Sequence, residues 1–273
     1  MKISISISIT LSVFLGMVFN SSVPVSAQGI SDESRYRACM DTAERAPDQA
    51  INKALIWQNE QGGIPARHCE ALGLFYMQEY AEAAARLEKI ARDMRTGRDM
   101  PLRFGKRTVA TAPMLADMYS QAANAWLMAD EIVMAEAAID IALSLTVNGG
   151  PQELELLVDR ARIAAADEDF ILALDDLERV QQQDPGRKNI LVLIAASARG
   201  VGDYSKAEFA LKEYLTLFPD RPDGYLERGN LFDAQGLTEE ARENWRKVLN
   251  LIEAGPSADA ARANLERIDL LKE

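Results

Sequence analysis

Residues 157–185 read LVDRARIAAADEDFILALDDLERVQQQDP, and residues 191–219 read LVLIAASARGVGDYSKAEFALKEYLTLFP. Laid over one another at a step of 34 residues, they match Leu157 with Leu191, Ala161 with Ala195, Ala173 with Ala207, Leu177 with Leu211 and Pro185 with Pro219. A third copy places Tyr225, Gly229, Ala241 and Trp245 at the same points; it has Glu253 where the proline falls and reaches Pro256 later. Small residues recur where two helices come close, and large apolar residues recur where side chains fill the gap between them. Proline ends a unit because it cannot continue a helix. One unit alone leaves its apolar face uncovered. Stacked units cover it, so the pattern predicts an array stabilised by neighbour contacts rather than by one central core.

The register extends in both directions. Tyr119, Ala122, Ala123, Trp126, Ala135, Ile139 and Ala142 fit it, with the insertion Asn148-Gly149-Gly150-Pro151 falling in a loop. Ala71, Leu74, Tyr80, Ala83, Leu87 and Ile90 fit again, and Ala38, Ala50, Ala54 and Trp57 fit more weakly. This gives six units, near 31–63, 64–96, 116–149, 154–187, 188–221 and 222–255, within one body spanning 28–273. An enlarged connection over about 93–112 carries Gly97, Pro101 and Gly105, which argues for a loop there. After the last unit, Ser257 can cap a helix over 257–272 with Ala260, Ala263, Leu265, Ile268 and Leu271 on its apolar side, the solvating end a stack requires.

The runs Leu157 to Pro185 and Leu191 to Pro219 resemble tetratricopeptide repeats, whose pattern sets Leu-Gly, Tyr, Ala-x3-Phe and Pro within one unit. Here Ala stands at most of the Gly positions, and Leu or Trp at the Phe position. The resemblance implies an all-α fold, a right-handed superhelical solenoid of antiparallel helix pairs with a C-terminal capping helix.

Lys2 precedes an uncharged run from Ile3 to Phe19, and Val25-Ser26-Ala27 supplies small residues where a signal peptidase reads. Two readings fit: a secretory signal peptide over 1–27, or an uncleaved membrane anchor. Either puts the body in the periplasm or outside the cell. Cys39 and Cys69 are the two cysteines, an even count that suits an oxidising compartment. The register puts them on the first helices of adjacent units, so a disulfide is expected; two buried thiols are the alternative.

The net charge of −12 disfavours nucleic acid as a partner, and 48% hydrophobic content suits a folded chain. Between residues 86 and 107 the balance reverses: Arg86, Lys89, Arg92, Arg95, Arg98, Arg103, Lys106 and Arg107 stand against Glu88, Asp93 and Asp99. This segment either contacts an anionic wall polymer or membrane surface, or pairs with the acidic body of its own protein.

In tetratricopeptide arrays the first helix of each unit lines the concave groove, and the resemblance maps the groove positions onto Asp117, Gln121, Asn124, Glu155, Asp159, Arg162, Asp223, Glu227, Asn230 and Asp233. Six acids against Arg162 imply an electronegative groove suited to a basic or amide-rich segment of a protein partner. Ordinary solvated charge is the competing account. The fifth positions are His68, Ser120, Val158, Val192 and Leu226, so the family's clamp for a terminal carboxylate is absent.

Chemistry is sparse. His68 is the sole histidine, and its neighbour Cys69 points about 100° away on a helix, which separates nucleophile from base. Two cysteines thirty residues apart lack paired metal-ligand spacing. Gly97, Gly105, Lys106 and Thr108 have the wrong spacing for a phosphate loop. No cofactor and no catalytic activity are expected. An exported, non-enzymatic interaction scaffold in envelope or cell-wall maintenance is the function these readings imply, with an accessory factor using the basic segment as the alternative.

Overall fold

The computed structural model describes residues 32–103 and 106–270, so the signal peptide or anchor expected over 1–27 lies outside the described residues. Thirteen helices among these residues make six antiparallel pairs and a closing helix. The pairs are α1 (Asp32–Arg45) with α2 (Pro47–Asn59), α3 (Gly63–Tyr76) with α4 (Tyr80–Arg95), and α5 (Ala112–Met128) with α6 (Ile132–Ser144). They continue with α7 (Pro151–Ala166) and α8 (Phe170–Gln183), α9 (Leu191–Gly200) and α10 (Tyr204–Leu217), then α11 (Pro222–Ala234) and α12 (Thr238–Leu251). The closing helix is α13 (Pro256–Leu270). The fold is all-α and repetitive, as the period predicts.

Prolines act at both ends of the linkers. Pro151 and Pro222 sit in the first turn of α7 and α11, where a missing N–H has no helical partner to lose. Inside the pairs a different device recurs. Gln78, Asp130, Glu168, Gly202 and Gly236 all hold positive φ, between 62° and 81°. Each lies five residues before the conserved-register alanine of its unit. At each, the helix closes with two backbone bonds: Glu168 N–H donates to Ala165 O and Asp169 N–H to Ala164 O, as Gly202 N–H does to Arg199 O and Asp203 N–H to Ala198 O. These satisfy the last carbonyls of the first helix and set the reversal. Asp169 and Asp203 then cap the second helix by accepting from Leu172 N and Lys206 N, both at 3.0 Å.

Ala173, Ala207 and Ala241 are fully buried, with Leu177, Leu211 and Trp245 beside them. A buried leucine of this kind contributes roughly 1.5–3 kcal/mol by removing its side chain from water. The small residue facing it is matched in size. Ala161 and Ala195 are buried in one cluster with Leu177 and Leu211, whereas Gly229 accompanies Trp245, whose ring lies 2.5 Å from where a β-carbon on Gly229 would stand.

The enlarged connection is shorter than the sequence implies. α4 runs on to Arg95 because Asp93 and Met94 are buried against the stack, and α5 begins at Ala112. Within it, β1 (Leu102–Arg103) pairs with β2 (Lys106–Arg107) as a two-residue antiparallel ladder, which Thr108 N–H prolongs by donating to Pro101 O. The connection folds back onto α3: Asp99 O accepts from Ile64 N at 3.0 Å, and Arg67 pairs with Asp93 at 2.8 Å and Asp99 at 3.4 Å. At the other end α13 starts at Pro256, so Ser257 lies inside the helix. Ala258, Ala261 and Ile268 are its buried stripe and Ala263 is exposed, because the helix packs against both α11 and α12.

Candidate functional site

First helices lie against first helices at α1–α3, α5–α7, α9–α11 and α11–α13, and so share one face of the stack. Cys39 of α1 is joined to Cys69 of α3, with Cα atoms 6.0 Å apart. The bond fastens the amino-terminal pair to the next one, as the register implies.

The predicted groove residues are brought together in this face, but most of their charge is already matched. Glu155 accepts from both Arg187 nitrogens, Nη1 at 2.8 Å and Nη2 at 2.5 Å. Asp159 accepts from Arg162 at 2.7 Å, and from Ser120 and Asn124 of α5 at 3.1 Å. Glu227 is buried and accepts from Arg199 Nε at 2.6 Å, while Asp233 accepts from Arg267 at 2.6 Å. Asn230 accepts from Trp245 and Asn264, each at 3.1 Å. Asp223 accepts from Arg221 at 2.9 Å and from the Tyr214 hydroxyl at 3.0 Å. Burial pushes the Asp223 carboxyl up, yet the Arg221 and Tyr214 hydrogen bonds outweigh it and hold it below the usual carboxylate range. The Tyr214 phenol is pushed up to about 12, by burial first and then by the Asp223 charge.

Counting Arg162 alone as the groove's base therefore missed Arg187, Arg199, Arg221 and Arg267, which reach in from linkers and neighbouring helices. A signal for three of them exists in the sequence. Arg187, Arg199 and Arg267 stand 32, 28 and 34 residues from their acids, about one repeat away. Asp117 differs: its carboxylate accepts from the Gln152 amide at 2.6 Å and has no arginine or lysine partner among the described residues.

Asp117 stands at a cavity of about 470 Å³ between α3 and α5. Tyr36 of α1, Met94 of α4, and Met100 and Pro101 of the connection complete its walls. Ile64, Pro65, Met114 and Met118 make the rest of the lining apolar. At its base His68 is buried, with Nδ1 against the Tyr36 hydroxyl and Nε2 2.7 Å from Gln121 Oε1. Because the Gln121 oxygen can only accept, Nε2 carries the proton, and Tyr36 donates to Nδ1. Burial lowers the His68 pKa, against the Gln121 hydrogen bond that raises it, so the ring is held neutral. His68, Asp117, Ser120 and Gln121 occupy groove positions of the family mapping, so the cavity lies in the face where the resemblance puts a ligand. Beyond the cavity, Leu72 and Phe75 pack against the core, and Tyr76 and Met128 are exposed.

Four of the eight basic residues in the segment have partners among the described residues, most of them within the segment itself. Arg86 pairs with Glu82 and Glu70, Arg92 with Glu88, and Arg98 with Asp93. Arg107 donates to Gly97 O at 3.0 Å. Arg95 and Lys106 are exposed, and the Arg103 side chain lies outside the described residues. Among the described residues no group of His, Cys, Asp and Glu could hold a metal ion, and no helix is long and apolar enough to cross a membrane.

No protein-family model matches the sequence, and no curated protein sequence matches it. Solved structures do resemble it. A tetratricopeptide repeat protein from Parabacteroides merdae superposes with a TM-score of 0.64 at 11% identity, covering 88% of this chain and 85% of that one. The C-terminal part of a TPR repeat-containing protein from Cytophaga hutchinsonii gives 0.52 at 14% identity, covering 79% and 78%. MamA from Desulfovibrio magneticus RS-1 gives 0.50 at 17% identity, covering 72% and 94%. The chain has the tetratricopeptide-repeat fold.

Proposed function

We propose that this protein is an exported, non-enzymatic scaffold that holds an extended segment of a protein partner along the face formed by its first helices. The observation that carries this reading is the apolar cavity between α3 and α5, lying in that face and bordered by Asp117. A preformed concave site with few polar groups is the usual form of a recognition site. The leader-like residues 1–27 and the Cys39–Cys69 bond support export to an oxidising compartment, and envelope or cell-wall maintenance is the setting that compartment offers. The alternative, a basic segment that grips an anionic surface, has less support because Arg86, Arg92 and Arg98 are paired with the protein's own acids.

A photo-crosslinking residue at Met114, on the cavity wall, tests the reading against one at Phe209, an exposed residue of α10. Crosslinking in intact cells should tie one partner segment to position 114 and leave 209 unreacted. Equal yields from both positions would refute it.

A further inference from the structure

We propose that the cavity between α3 and α5 takes an aromatic side chain from a peptide segment whose neighbouring lysine or arginine meets Asp117. This rests on the scaffold reading above and specifies its ligand. The volume of about 470 Å³ holds one large side chain with part of its backbone. Four methionines, Met94, Met100, Met114 and Met118, line it. Thioethers adapt their shape and attract aromatic rings, which favours an aromatic occupant over a small aliphatic one.

Polar groups in the lining are few and mostly engaged. Both His68 nitrogens are engaged, and the Ser120 hydroxyl donates to Asp159. The Gln121 amide nitrogen has no hydrogen bond among the described residues and is available to an acceptor on the ligand. Asp117 supplies the charge term. The acids Glu155, Asp159, Asp223, Glu227 and Asp233 already carry arginines, whereas Asp117 has only an amide donor, so an incoming cation finds an unmatched carboxylate there.

Fluorescence polarisation with short labelled glycine/serine peptides carrying Phe-Lys provides the test, using the exported protein with its disulfide intact. Replacing Phe by Ala in the peptide should weaken binding at least about tenfold, the scale of a buried aromatic anchor. Asp117→Lys should weaken the Phe-Lys peptide several-fold and should favour a Phe-Glu peptide instead; circular dichroism checks that the variant is folded. The single histidine gives an independent readout, because a side chain seated in the cavity must shift the His68 ring resonances. If peptides without an aromatic bind equally well, or if His68 is unmoved on binding, this inference falls and the scaffold reading stands. If a free aromatic compound binds as tightly as the peptide, the cavity is a small-molecule site and the inference falls too. If a partner segment captured at Met114 contains no aromatic residue beside a base, the inference is likewise wrong, whereas capture of no segment sinks the scaffold reading itself.

Discussion

The indole of Trp245 fills the space that a β-carbon on Gly229 would need, coming within 2.5 Å of it. The two residues are a size exchange within one repeat: Ala161 with Leu177 and Ala195 with Leu211 become Gly229 with Trp245. Gly229→Ala should therefore destabilise the protein by roughly 1–3 kcal/mol through overpacking. Trp245→Leu alone leaves a void and also costs stability. The double variant restores the pairing of the other units and should be more stable than the sum of the single losses. Urea denaturation of the four proteins measures the coupling, and additive losses would show that the residues do not constrain each other.

A second prediction concerns the reversals within pairs. Glu168 holds φ of 62° where the next two units have Gly202 and Gly236. A side chain pays a steric penalty in that conformation, so Glu168→Gly should stabilise by roughly 1 kcal/mol. Gly202→Ala should do the opposite, since its β-carbon would meet nothing within 4 Å and backbone conformation alone decides. Thermal melts of both variants in one buffer are sufficient. A shift of the same sign in both rejects the argument.

Cys39 and Cys69 close a loop of sequence separation 30, and replacing both with serine should cost roughly 3–4 kcal/mol in the chain-entropy model. The loss should be local, because α1 touches only the first units. Trypsin should then cut at Arg37 and Arg45 before it cuts within α7 to α12. Uniform digestion would mean that the disulfide does not fasten α1. Peptide mapping without reductant checks the pairing itself.

His68 is the only histidine, so its ring can be followed by nuclear magnetic resonance through a pH titration. Its pKa should lie below the usual histidine value. The neutral ring is favoured in the folded chain, and the unfolded chain binds the proton first. Stability should fall as pH drops through about 6.5 toward the folded pKa, and stay level below it. Tyr36 and Asp117 line the same cavity. His68→Gln should remove this slope from the denaturation midpoints measured across that window. An unchanged slope assigns the pH dependence to other groups.

The stacking was legible because it rests on identity at fixed steps: Ala173, Ala207 and Ala241 announce it without any knowledge of tertiary contacts. The disulfide followed from the same register, which placed Cys39 and Cys69 on adjacent helices. The cavity was not legible. Its walls come from α1, α3, α4, the connection and α5, and Met94, Met100, Met114 and Met118 follow no common period. His68 was read as a groove position and for catalysis but not as part of a hydrogen-bonded pair, since its partners Tyr36 and Gln121 lie 32 and 53 residues away. The turn residues Gln78, Asp130 and Glu168 were also passed over. Two of the five carry glycine, and the shared backbone angle is visible only in three dimensions.

The ion pairs Glu155–Arg187, Glu227–Arg199 and Asp233–Arg267 tie α7 to the linker after α8, α11 to α9, and α11 to α13. They lie on the face that the first helices share, and a change in helix spacing there stretches or relaxes them. Their strength falls with ionic strength, most for the more exposed pairs. The spacing along that face, and with it the width available to anything lying there, is thereby tied to the salt around it. In an exported protein, the location proposed above, these pairs would act as an elastic element tuned by the medium.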